Sequence, residues 1–181
     1  DLNLGPFSLG FYFPFYGNFF DSVRVVTNGW LSFTSESTNY VNKPLPEVNG
    51  VFNLIAPFWD DLELKPDGKI FFYNTNDSVI ITFSGIYHYS LDSLGGPYAF
   101  QCLLTKSGQI VFQYRNMSEP LNSATVGIQN QDGSIGLQIA YNQDFIHDSL
   151  AVQITNCHVT VRRDRLNCYT VEMVYLPAGS I

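Results

Sequence analysis

The sequence predicts an all-β fold, an antiparallel β-sandwich or jelly-roll-like barrel of about a dozen short strands. Three observations carry that expectation. Short apolar runs alternate with period two, most clearly where Phe7, Leu9, Phe11 and Phe13 are interleaved with Ser8, Gly10 and Tyr12. Turn signals recur between such runs: Asn28-Gly29, Asp67-Gly68, Lys106-Ser107-Gly108 and Asp132-Gly133. Finally, no stretch carries the apolar stripe of an amphipathic helix.

Composition agrees. Aromatics make up 15% of the 181 residues and charged residues only 14%, against roughly 25% charged in an average soluble domain. Disorder needs low hydrophobicity and high charge, so it is excluded. A long bundle would be richer in Ala, Glu, Lys and Leu. The net charge of −7 argues against nucleic acid, whose binding rests on clustered cations.

In chain order, the Phe7–Phe13 strand is broken by Pro14 and Gly17, and a β-branched run, Val23 to Thr27, leads into Asn28-Gly29. Both residues of that pair tolerate φ > 0, which suits a tight hairpin into Trp30-Leu31-Ser32-Phe33. Residues 34–50, rich in Ser, Asn and Pro, form a long loop. Leu54 to Leu62 is apolar and ends in acid; Pro57 suits an edge or the first residues of a strand, and Trp59 packs inward. Pro66-Asp67-Gly68 turns the chain into Lys69–Tyr73, and residues 74–77 turn it into Ser78–Phe83, a meander. Two hairpins follow, Tyr98–Thr105 with Gln109–Tyr114 and Thr125–Gln129 with Ser134–Tyr141. Leu150–Thr155, Val159–Arg163 and Tyr169–Tyr175 are the last strands. The sandwich is expected to occupy residues 1–155, with 156–181 an added hairpin or the start of a following module.

The chain starts at Asp1 without Met and is expected to be a piece of a longer or processed protein. No run reaches the roughly 18 apolar residues of a membrane helix, so insertion is not expected. Cys157 and Cys168 could close a short loop worth about 2–3 kcal/mol if oxidised, which secretion would favour. Cys102 shares strand parity with Phe100 and Leu104 and reads as a buried thiol. Asn76-Asp77-Ser78 and Asn116-Met117-Ser118 are glycosylation sequons.

Catalysis has no support in the sequence. His88, His147 and His158 show no paired metal spacing, and neither a nucleophile elbow nor a phosphate-cradling loop occurs. Asp60 and Asp61 are adjacent, so on a strand they point to opposite faces and cannot act as facing acids. At a strand end they could join backbone carbonyls around Ca²⁺, which takes oxygen ligands. The plainer reading is a turn, with one carboxylate bonding loop amides. Most aromatics belong in a two-sheet core, but Trp30 at its hairpin and Tyr40, Tyr87 and Tyr89 near loop tips are candidate ligand-binding rings.

Phe13-Pro14-Phe15-Tyr16-Gly17, Val25-Val26-Thr27-Asn28-Gly29-Trp30-Leu31-Ser32-Phe33 and Ile55-Ala56-Pro57-Phe58-Trp59-Asp60-Asp61-Leu62 together resemble the nidogen-type extracellular domain. They are closer still to bacterial secreted modules of the same pattern. Gly108–Tyr114, Thr125–Asn130 and Gly136–Asn142 fit as well, so the resemblance spans roughly 7–154. It implies a non-enzymatic, secreted or cell-surface module that binds an extracellular protein or glycan within a larger chain. Two alternatives stand beside adhesion: a carbohydrate-binding module using exposed aromatics, with or without Ca²⁺, and a structural accessory domain of a secreted hydrolase.

Overall fold

Sheet pairing follows the sequence alternation strand by strand. The structure, a computed structural model, describes residues 1–89, 95–161 and 164–175, with side chains described for 1–89 and 95–155. Two six-stranded antiparallel sheets face each other, and the described residues contain no helix. The first sheet has the order β1 (Asn3–Phe15), β2 (Asn18–Val26), β3 (Trp30–Ser32), β4 (Leu54–Trp59), β9 (Thr125–Gln129) and β10 (Gly136–Tyr141). The second has the order β12 (Asp164–Tyr175), β11 (Leu150–Val161), β8 (Ile110–Met117), β7 (Tyr98–Thr105), β6 (Ser78–His88) and β5 (Leu62–Asn74). The sandwich is the fold the alternation predicts.

The inward-facing parity builds one core. Leu9, Phe11 and Phe13 of β1 meet Val79, Ile81 and Phe83 of β6, and Phe100, Cys102 and Leu104 of β7, in a single apolar cluster. Phe58 of β4 sets its ring edge-on against Tyr98 and Phe100 at centroid distances of 5.1 and 5.6 Å, tying the sheets together. Cys102 is buried as its parity indicates, and burial pushes its thiol far above the usual range.

Three local expectations change. Pro14 does not end β1, which continues to Phe15 and pairs Pro14 with Phe19. Pro66-Asp67-Gly68 does not turn the chain between strands; it is a bulge within β5, where the register slips between Leu64 and Lys69. The bulge packs against β6: a Cβ on Gly68 would press on the Gly85 carbonyl, and Gly85 itself has φ +68°. Near the C-terminus, the strands expected at 150–155 and 159–163 are one, β11, paired with β8 and β12. Cys157 and Cys168 fall opposite each other in the backbone register of β11 and β12, while their side chains lie outside the described residues.

A second apolar cluster sits on the outer face of the first sheet. Val26, Trp30, Leu54, Ala56 and Trp59 are covered there by Leu45 and Val51 of the long loop. This explains why β3, β4 and β9 are buried at every position, on both faces.

Candidate functional site

One end of the sandwich opens into a cleft of about 570 Å³. Its construction begins at the turn after β2. Asn28 is fully buried, and its amide nitrogen donates to Asp1 Oδ1 (3.1 Å) and to the Thr38 carbonyl (3.0 Å). Its amide oxygen accepts from the Leu62 N–H (3.0 Å). One side chain thus joins the chain start, the long loop and the head of β5. Of the Asn28-Gly29 pair only Gly29 has φ > 0, and a Cβ on it would collide with the Phe58 carbonyl. Gly29 serves close approach, and Asn28, within the same turn, serves as a buried connector.

The long loop is fixed by the two tryptophans. Trp30 Nε1 and Trp59 Nε1 both donate to the Asn39 carbonyl, at 2.9 and 3.0 Å. Both indoles are fully buried. Trp30 is therefore not an exposed ligand-binding ring, contrary to expectation: the loop folds over it and leaves no open face. The residue after Asn39 is Tyr40, 47% exposed and lining the cleft. The tryptophans hold in place the loop that presents this tyrosine.

Asp60 and Asp61 separate as adjacent residues should. Asp60 is buried; its Oδ1 accepts from the Asp61 N–H (2.9 Å) and its Oδ2 from the Ser123 hydroxyl (2.5 Å). His88 Nε2 lies 3.6 Å from the same Oδ2. Burial pushes the Asp60 carboxyl above its usual range, against the pull of Ser123, His88 and the Asp61 amide. The order of groups matters chemically. A serine nucleophile needs imidazole between hydroxyl and carboxylate, whereas here the hydroxyl donates directly to Asp60, an arrangement that anchors the loop carrying Ser123. Nothing in the sequence marked Ser123, which sits in an irregular segment.

Asp61 faces the cleft. It too is raised chiefly by burial, with the Asp60 charge adding to this, while His88 acts in the opposite direction. Its carbonyl accepts from the Tyr89 N–H (2.8 Å), which fixes a second ring, 55% exposed, on the rim. Asp1, Leu2, Leu62, Glu63 and Leu64 complete the lining with Asp61. Tyr40, Asp61 and Tyr89 are thus brought together. Tyr87 is not among the lining residues, and its ring is covered by Lys65 Nζ, 4.3 Å from the centroid.

Of the two carboxylates expected to hold Ca²⁺, Asp60 is engaged by the protein itself and Asp61 faces the cleft. Both Asp60 oxygens already serve protein donors, and the described residues contain no group of three or more His, Cys, Asp or Glu side chains able to hold a metal ion.

Fold and cleft define a two-sheet domain with an open cleft at one end and, among the described residues, no nucleophile arrangement in that cleft. The chain matches the family described as NIDO related over residues 1–165 and belongs to it. Domains of this nidogen-like kind are typically extracellular and generally non-enzymatic. The match runs past residue 155, into β11 and the hairpin that follows. No solved structure matches the chain at a significant level. Among the described residues no helix is long and apolar enough to cross a membrane.

Proposed function

We propose that this domain is a non-catalytic extracellular binding or adhesion module, and that the cleft is its recognition site. The observation that supports this is convergence: Tyr40 from the long loop, Asp61 from just before β5 and Tyr89 from just after β6 meet in a cleft that leucines also line. Half-exposed rings beside polar groups are the composition of recognition surfaces. The backbone beneath the rings is also held, next to Tyr40 by the Asn39 anchor and at Tyr89 by its N–H bond to the Asp61 carbonyl. A fixed backbone leaves only the side chain to order on binding.

A glycan is the second reading, favoured by the same two rings, since sugars stack on exposed aromatic faces. A mixed array of extracellular proteins and glycans, probed with the domain and with Tyr40→Ala and Tyr89→Ala, tests both. Binding that falls in both variants while thermal stability is kept supports the cleft. Binding retained by the double variant overturns it.

A further inference from the structure

The cleft is selective in its charge. Asp1, Asp61 and Glu63 are among its lining residues, with two tyrosines and three leucines, and among the described residues no Lys or Arg lines it. The nearest lysine of β5, Lys65, is already drawn over the Tyr87 ring. The carboxylates come from two separate segments, and the described residues offer no cluster able to hold a metal ion. The lining suits a charge carried on an organic stem: rings and leucines take the stem, and ring faces and carboxylates take the head. A bare cation would leave the apolar lining unused, and a neutral sugar would leave the carboxylates without a counter-charge.

We infer that the cleft takes the side chain of an arginine or lysine displayed by a protein partner, the cationic head set against Tyr40, Tyr89 and the Asp61 and Glu63 carboxylates. This rests on the reading of the cleft as a recognition site and names its ligand class. Ring faces attract such heads through their quadrupole, and a guanidinium can add paired hydrogen bonds to carboxylates. The net charge of −7 on the whole chain would steer a basic partner toward it.

The probe is N-acetyl-arginine methylamide, titrated into the isotope-labelled domain and followed by amide chemical shifts. The controls are its citrulline counterpart, which keeps shape and loses charge, and N-acetylglucosamine. The expected result is saturable shifts at Leu2, Tyr40, Asp61, Glu63 and Tyr89 with the arginine probe. Affinity should be about tenfold weaker with citrulline and should weaken as salt approaches a Debye length of about 3 Å, near 1 M. Glu63→Gln and Tyr89→Ala, both on exposed side chains, should each weaken binding about two- to fivefold without altering the melting temperature. Equal binding of arginine and citrulline probes overturns the cationic assignment. Shifts at the same amides with N-acetylglucosamine alone overturn it too, and leave the cleft as a recognition site. No saturable shift with any of the three overturns the assignment together with the small-group reading of the cleft. Shifts confined to the outer face of β5–β8 place recognition elsewhere.

Discussion

The two sheets differ in what lies outside them. The first is buried on both faces at β3, β4 and β9, because the loop between Ser32 and Leu54 lies across it and closes a second apolar cluster around Trp30 and Trp59. The second sheet leaves its outer face open, with Phe71 and Tyr73 more than half exposed and a polar ladder running from Thr82 through Gln101 to Gln113. A loop normally keeps its backbone groups in water. Here side chains of the first sheet meet them: Gln129 accepts from the Glu47 N–H and donates to the Val51 carbonyl, Gln138 accepts from the Leu45 N–H, and Ser32 donates to the Phe52 carbonyl. The loop behaves as a third layer, and the cleft forms where that layer ends. Among the described residues the open face has no such layer.

This contrast can be broken most severely at Trp59. Trp59→Ala removes a fully buried indole and one of the two Asn39 bonds, and should cost about 3–5 kcal/mol in urea unfolding. Tyr73→Ala on the open face should stay within about 0.5 kcal/mol. Similar losses at the two positions would mean that the loop is not a packed layer. Next in size is Asp60→Ala, expected to cost about 1–3 kcal/mol because the Ser123 hydroxyl and the Asp61 amide lose their acceptor. Asp61→Ala, facing the cleft, should change stability by about 0.5 kcal/mol or less.

A smaller effect appears in pH. The Asp60 carboxyl is raised above its usual 3.8 by burial, so the folded state holds its proton more tightly than the unfolded chain. Its contribution is full below 3.8 and is lost as pH climbs from there through the raised value. Asp60→Asn should therefore gain on the parent chain as pH rises above 3.8, measured as the difference in unfolding free energy between the two at successive pH values. The smallest expected effect is that of calcium. With Asp60 committed to protein donors, the melting temperature should agree between chelator and millimolar Ca²⁺; a rise with Ca²⁺ would show that the acidic rim rearranges around an ion.

Much of the sandwich was legible because its strands obey one rule. In β7, and over Leu9–Phe15 of β1 and Val79–Phe83 of β6, every second side chain enters the core, and period two is visible in sequence. The bulge in β5 was not legible. Pro-Asp-Gly carries the same local signal whether the chain reverses or slips by some residues, and only pairing with Gly85 decides between them. Trp30 was misread for a related reason, since what covers it is a loop fastened by long-range bonds. A signal did exist in Leu54–Trp59, an unbroken apolar run: a strand without alternation has no face in water. Of the cleft, Tyr40, Asp61 and Tyr89 were picked individually, but their meeting depends on Asn28 and Asn39, whose roles no motif announces.

The length of β5 has a practical consequence. Its first residues, Leu62 to Leu64, line the cleft, while its last, Asn74, leads into the exposed turn holding the Asn76 sequon. Twelve steps of an extended strand, less the bulge, separate these ends by on the order of 30–40 Å. A sugar, a fluorophore or a biotin tether at Asn76 would therefore sit at the far pole of the domain. The molecule can be immobilised or crowded there while its opposite end stays free to meet a partner.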